Sequence, residues 1–138
     1  MARNNHSIGN AGEFYVLAQL AQRGYIAGKT DDGQTLIDVI ATDPETLKTV
    51  NIQVKSTAQF TGYWMTGNKA RKSFESLWYV FVLLKSPAEI PEFFVFHSAE
   101  VAADVHVAVI SAFLVTTASA VLALVTCDLG VEQRQRHL

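Results

Sequence analysis

The sequence contains few residues that would cross-link or break a folded chain. It has one cysteine, three prolines and eight glycines among 138 residues. A single cysteine excludes a disulfide framework and any zinc site built from cysteines, and it favours a reducing, cytoplasmic location. The hydrophobic share of 49% excludes a collagen-like or disordered chain. The length suits a single folded core.

Positive charge is also scarce, since 11 lysines and arginines face 13 acidic residues and the net charge is −2. Any binding of nucleic acid must therefore come from a local cluster of basic residues. Such a cluster exists, because no acidic residue lies between Glu45 and Glu75. The basic residues of this stretch are Lys48, Lys55, Lys69, Arg71 and Lys72.

Three aromatic residues, Phe60, Tyr63 and Trp64, interleave with polar residues in the same stretch. Their rings would either stack on unpaired bases or close the edge of the core. The sequence leaves both alternatives open. We take Lys48, Lys69, Arg71, Lys72, Tyr63 and Trp64 as the candidate residues for binding DNA.

A segment of 23 residues between Asp104 and Asp128 contains no charged residue. It is long enough to cross a bilayer, but no Trp or Tyr flanks it and both of its borders are acidic. We therefore expect a main domain over residues 1–104 and an apolar helical tail over residues 105–138, with a membrane role unlikely. A membrane-associated protein anchored by residues 107–127 is the alternative.

Hydrophobic periodicity predicts alternating helices and strands along the rest of the chain. The pattern indicates an α/β fold with a mixed sheet of four or five strands flanked by helices. A further helix begins at Ser98, which we expect to be its N-cap. The main predicted elements are a helix over Asn10–Arg23 and strands over Thr35–Ala41, Thr49–Lys55, Leu77–Leu84 and Phe93–Phe96.

Four polar residues occupy positions that such a fold would bring together. Glu13 lies at the rim of the apolar face of the first helix, and Asp38 interrupts an apolar strand. Gln53 and Lys55 share one face of the next strand. If the hairpin connection has an even number of residues, Asp38 lies opposite Gln53 or opposite Lys55, depending on where the turn is centred. An odd number would place Asp38 on the other face unless a bulge intervenes. The sequence alone favours a paired Asp–Lys contact over a catalytic cluster, because buried charges are usually paired.

The same four residues also suit metal-assisted hydrolysis of a phosphodiester. Mg²⁺ prefers a few oxygen ligands and retains several waters, and Asp38, Gln53 and Glu13 carry such oxygens. A metal bound there would activate a water and polarise the phosphoryl oxygen. Lys55 would stabilise the negative charge that develops during the reaction.

The order of these residues resembles the PD-(D/E)XK nuclease superfamily. The likeness is greatest to its small prokaryotic members and extends, at greater distance, to Holliday-junction resolvases. In that pattern a helix glutamate precedes a strand aspartate, and a (D/E)-x-K motif follows across a hairpin. The resemblance covers about residues 8–104 and rests on Gly12–Glu13, Ile37–Ile40, Asn51–Thr57 and the runs at 77–84 and 93–101.

This resemblance implies a role for each of the four residues. Asp38 corresponds to the central metal ligand, Glu13 to a supporting acid and Lys55 to the catalytic lysine. Gln53 occupies the second acidic position, where glutamine keeps an oxygen ligand but removes one negative charge.

The resemblance also implies a fold and a reaction. The fold is a restriction-endonuclease-like αβββαβ core, and the reaction is cleavage of DNA with Mg²⁺ or Mn²⁺. We expect a homodimer, because cutting two strands usually needs two sites. An inactive DNA-binding module of the same fold is the alternative.

Overall fold

The protein has an α/β fold with a five-stranded mixed sheet, as the sequence predicts. The computed structural model describes residues 3–31, 33, 36–59, 61–103 and 106–108. Its elements, in chain order, are α1 (Asn5–Gln22), β1 (Ile26–Lys29), β2 (Val39–Thr42), β3 (Thr49–Thr57), β4 (Tyr63–Met65), a short 3₁₀ helix (Asn68–Arg71), β5 (Leu77–Leu83), β6 (Glu92–His97), α2 (Ser98–Ala103) and β7 (His106–Ala108).

The strands of the main sheet lie in the order β1-β2-β3-β5-β6. Neighbouring strands are antiparallel except for β3 and β5, which are parallel. A parallel pair needs a crossover connection, and residues 58–76 provide it with β4 and the 3₁₀ helix. The αβββαβ core that the resemblance implies has an α-helix in this crossover, between the third and fourth strands. The described part of the crossover has only the four-residue 3₁₀ helix instead.

Alternation along β3 divides the core into two layers. Val50, Ile52 and Val54 are buried on the face that packs against α1, while Gln53 and Lys55 belong to the opposite face. The neighbouring strand β5 is almost entirely buried, because side chains cover both of its faces. Gln53 and Lys55 therefore lie on the sheet face that α1 does not cover, whereas Ser56 of the same strand faces Gly12 of α1.

The first helix begins five residues before its predicted start at Asn10. The Asn4 side chain caps it by accepting a hydrogen bond of 2.8 Å from the Ser7 backbone N–H. The first turn is exposed, so hydrophobic periodicity gives no signal there and the cap alone marks the start. The helix ends before Gly24, whose positive φ of 85° suits glycine.

Only a small part of the predicted helical tail falls within the described residues. Residues 106–108 form β7, which pairs with β4, rather than a helix. The rest of the 105–138 tail, and nearly all of the proposed 107–127 anchor, lies outside the described residues. Within the described part of the chain, no helix is long and apolar enough to span a membrane.

Gly12 allows α1 to approach the sheet closely. A Cβ atom at Gly12 would lie 2.8 Å from the Ser56 Cβ and closer still to the Ser56 hydroxyl. Real Cβ atoms do not make such contacts, so the helix or the strand would have to move. The glycine next to Glu13 thus sets the distance between α1 and β3.

We predict that Gly12→Ala lowers the free energy of unfolding by about 1–3 kcal/mol, because it overpacks this contact. Gly9→Ala is the matched control, since a Cβ at Gly9 meets nothing within 4 Å. In the same helix that control should gain about 0.5–1 kcal/mol from reduced backbone entropy. Urea unfolding measures both variants, and equal stability of the two would contradict the close packing.

Candidate active site

Asp38 lies immediately before β2, at the point where pairing with β3 begins. The last paired residues are Val39 and Ile52, so the continued register places Asp38 opposite Gln53. This is the alignment that the sequence predicts for an even connection centred between residues 45 and 46. The Asp38 N–H donates to the Ile52 carbonyl, and the Asp38 carbonyl accepts from the Thr30 N–H, each at 2.9 Å. The backbone of Asp38 is therefore fixed on both sides.

The Asp38 carboxylate reaches across to β3 and accepts two hydrogen bonds at one oxygen. The Gln53 side-chain amide Nε2 donates to Oδ2 at 2.6 Å, and the Val54 backbone N–H donates to the same oxygen at 2.8 Å. Hydrogen bonds to an ionised acceptor are stronger than those between neutral groups. The carboxylate thus takes part in joining β2 to β3.

Burial is the largest influence on this carboxylate and raises the pKa of Asp38 above its ordinary value of 3.8. The Val54 hydrogen bond lowers the pKa, and the negative charge of Glu13 raises it. The ammonium groups of Lys55 and Lys29 lower it further. The charges of Glu13, Lys55 and Lys29 therefore all act on the Asp38 carboxylate.

Glu13 forms an ion pair that the sequence does not reveal. Its carboxylate Oε2 lies 2.5 Å from the Lys29 ammonium, and both side chains are largely buried. The same ammonium lies 5.1 Å from the centroid of the Phe14 ring, within the range of a cation–π contact. A metal ion at Glu13 would therefore have to compete with Lys29.

Few donor atoms are available to a divalent cation at this site. Within the described residues, no group of three or more His, Cys, Asp or Glu side chains is placed to hold a metal. Because the Gln53 nitrogen faces Asp38, the Gln53 amide oxygen and the other Asp38 oxygen are the atoms left for a cation. Mg²⁺ is often bound by one or two protein ligands with waters completing its shell. Asp38 and Gln53 would contribute one carboxylate oxygen and one amide oxygen to such a shell.

Tyr79 is a member of this site that the sequence analysis missed. The parallel pairing of β3 and β5 places it beside Gln53. Its side chain is 0% exposed, and its hydroxyl has no hydrogen-bond partner among the described residues. Burial, and then the charge of Asp38, raise the pKa of Tyr79. The available signal was a single phenol in an otherwise apolar strand, but its position depends on the strand order.

The candidate DNA-binding residues differ in their accessibility. All of the candidate basic residues are exposed, with Arg71 in the 3₁₀ helix. Trp64, in contrast, is only 5% exposed and packs 5.1 Å from Phe81 between ring centroids. It lies in the core, so its ring is not accessible for stacking on a base. Tyr63 belongs to β4. The accessible basic residues are Lys48, Lys69, Arg71 and Lys72.

Comparison with known proteins adds no relative to this picture. No protein-family model matches the sequence, and no curated protein or solved structure is significantly similar to the chain. The interpretation of the site therefore depends on its residues and their geometry.

The raised pKa of Asp38 predicts a specific pH dependence of stability. The folded protein holds this proton more tightly than the unfolded chain, so the contribution of Asp38 is largest below its ordinary pKa of 3.8 and is lost as the pH rises through the raised value. Asp38→Asn removes the titrating carboxyl, so this variant does not lose that stability as the pH rises. Urea unfolding across this range should show Asp38→Asn gaining stability relative to the wild type with rising pH. A constant difference would contradict the shift.

We predict that Tyr79→Phe leaves the free energy of unfolding unchanged or raises it by up to about 1 kcal/mol. A buried hydroxyl without a partner is destabilising, and its removal leaves the ring in place. Tyr15→Phe, on the outer face of α1, is the control and should have no effect. A clear loss of stability in Tyr79→Phe alone would show that the hydroxyl has a partner.

Proposed function

We propose that the protein is a metal-dependent endonuclease that hydrolyses DNA phosphodiester bonds. The observation that carries this proposal is the Asp38 carboxylate, held at the start of β2 by Gln53 and Val54. Lys55 follows Gln53 by two residues on β3 and acts on the same carboxylate through its charge. An acid facing a Gln-x-Lys motif across a hairpin matches the order of the PD-(D/E)XK pattern.

The fold is compatible with this proposal. Glu13 on α1, Asp38 before β2 and the Gln53–Lys55 motif on β3 follow one another as in the superfamily. The mixed sheet places a parallel strand, β5, next to β3. These features support a restriction-endonuclease-like core, in which the short 3₁₀ helix would replace the helix of the usual crossover.

The side chains have distinct tasks in such a reaction. Asp38 and Gln53 would hold Mg²⁺ or Mn²⁺ through the oxygens that their mutual hydrogen bond leaves available. The metal supplies a Lewis acid at the phosphoryl oxygen and lowers the pKa of a bound water. Lys55 would stabilise the negative charge that develops on the phosphate. The Val54 N–H keeps the Asp38 carboxylate in a fixed orientation.

The exposed basic residues between Glu45 and Glu75 would bind the phosphate backbone. Lys48 lies on the β2–β3 hairpin, while Lys69, Arg71 and Lys72 lie in or beside the 3₁₀ helix. Phosphate contacts of this kind position a nucleic acid without reading its sequence. A homodimer would supply two sites for the two strands of a duplex.

An inactive DNA-binding module is the second candidate, and two contacts favour it. Gln53 lacks the negative charge of the usual acid, and its amide satisfies Asp38 without a metal. Glu13 is paired with Lys29. The carboxylates of Asp38 and Glu13 are thus balanced within the protein, which lowers the affinity for a cation.

Cleavage of supercoiled plasmid and of a four-way DNA junction, each with and without Mg²⁺, tests the proposal. We expect nicking that depends on the metal and falls by at least about 100-fold in Asp38→Ala and Lys55→Ala, because Asp38 would hold the metal and Lys55 would stabilise the charge on the phosphate. Lys85→Ala is the control, since Lys85 forms an exposed ion pair with Glu92 and removing it has little effect on stability.

The pattern across the variants separates the two candidates. Cleavage by the wild type and by Lys85→Ala alone supports the nuclease. Binding of DNA without cleavage in any metal supports the inactive module. Equal cleavage by all four proteins would contradict the role of Asp38 and would indicate a contaminating nuclease.

A further inference from the structure

An apolar groove adjoins the candidate site on the side of the sheet that α1 does not cover. It consists of two depressions, of about 200 and 330 Å³, which share Leu36 and Phe74. Asn51 and Leu77 contribute to the floor of the first, and the second is bordered by Lys69 and Lys72. We refer to the two depressions together as the Phe74 groove.

Phe74 is an exposed aromatic residue on a fixed backbone. Its side chain is 49% exposed, yet the Ser98 hydroxyl accepts from the Phe74 N–H at 2.9 Å and donates to the Phe74 carbonyl at 2.6 Å. A ring whose backbone is already ordered loses less entropy when a ligand binds. Phe74 is therefore pre-organised as a contact surface.

Ser98 is available for this contact because another residue caps α2. The sequence predicts Ser98 as the cap, but the His97 ring Nδ1 accepts from the Ala99 N–H at 3.2 Å. The Glu100 carboxylate, in turn, accepts from the His97 N–H at 2.7 Å. The fully buried Ser98 hydroxyl thus contacts Phe74 instead of the first turn of its own helix.

The charge around the groove favours an anionic ligand. Lys69 and Lys72 border it, and Arg71 between them is exposed. None of the described residues that line either depression is acidic. A flat apolar surface next to two ammonium groups matches a nucleotide, which has an apolar base face and a negative phosphate.

The groove leads towards Asp38. Leu36 and Ile37, which line it, directly precede Asp38 in the chain. Asn51 lies two residues before Gln53 on the same face of β3, which separates them by about 7 Å. A nucleotide in the groove would therefore have its neighbouring phosphodiester close to the candidate site.

We infer that the Phe74 groove binds an unpaired nucleobase of single-stranded or locally opened DNA. The base stacks on Phe74, and its phosphates contact Lys69 and Lys72. Bases within an intact duplex are stacked on one another and do not present their faces to a protein. This inference rests on the proposed nuclease for its substrate, and it names unpaired DNA as the preferred form.

Binding of a single-stranded DNA of about 12 nucleotides that contains 2-aminopurine tests the inference. The fluorescence of this base falls when it stacks on an aromatic ring, and EDTA in the buffer prevents cleavage. We expect quenching by the wild type, binding about 5- to 100-fold weaker in Phe74→Ala, and binding retained in Phe74→Trp. Ile90→Ala, which removes a residue that is 71% exposed in another loop, is the control.

Several results would overturn the inference. Unchanged affinity in Phe74→Ala, or equal affinity for the same strand annealed into a duplex, would exclude base stacking in the groove. Far-ultraviolet circular dichroism of each variant checks that it is folded, and Phe74→Trp supplies a second comparison that keeps an aromatic ring.

The cleavage test of Asp38 separates this inference from the proposed function. If Phe74→Ala binds single strands as well as the wild type while cleavage still depends on Asp38, the inferred base binding in the Phe74 groove is wrong and the proposed nuclease is supported. If binding depends on Phe74 but no metal supports cleavage, the inferred base binding in the Phe74 groove is supported and the proposed nuclease is wrong.

Discussion

The candidate site depends on one hydrogen-bonded carboxylate placed where two strands begin to pair. Asp38 is partly removed from water at the start of β2, and a carboxylate in that position needs donors. Val54 and Gln53 supply them from β3. Because Gly12 brings α1 close to β3, Glu13 lies near enough for its charge to act on the same group. The close packing of α1 on β3 and the charges around the site therefore both influence the Asp38 carboxylate.

Gln53 determines how the site can function. A second carboxylate beside Asp38 would repel it and would favour a bound cation. The Gln53 side-chain amide donates a hydrogen bond to Asp38 instead. The positive charges of Lys29 and Lys55 offset the negative charges of Asp38 and Glu13. In the proposed nuclease, such a site would bind Mg²⁺ weakly. A nuclease of this kind would depend more on DNA, whose phosphates add ligands, to retain its cation.

Local patterns predicted much of this structure. The alternation of β3 identified its two faces. Gln53, which an even hairpin connection predicts as one of two possible partners of Asp38, is the partner observed. The sequence favours an Asp–Lys pair at Asp38, but the Glu13–Lys29 ion pair and the strand order are set by tertiary packing, and the sequence does not indicate them. Lys29 next to Glu13, and Tyr79 beside Gln53 through the parallel β3–β5 pair, are therefore visible only in the fold.

The aromatic residues show the same limit. Tyr63 and Trp64 were selected because they lie in a basic, polar stretch, but Trp64 fills the core against Phe81. Phe74 gave no comparable signal, since one phenylalanine before an apolar strand usually belongs to the core. Phe74 is nevertheless 49% exposed, and the Ser98 hydroxyl holds its backbone in place.

The most direct test of the proposed cation site at Asp38 is a Mg²⁺ titration, followed by the amide resonances of the backbone and of the Gln53 side chain. If Asp38 binds the cation, the resonances of the Val54 backbone amide and the Gln53 side-chain amide should shift and then saturate, because both groups donate to the Asp38 carboxylate. The same shifts should be absent in Asp38→Asn. If Mg²⁺ leaves these two groups unchanged in the presence of a single-stranded oligonucleotide as well, Asp38 is not a cation ligand and the proposed hydrolase is wrong.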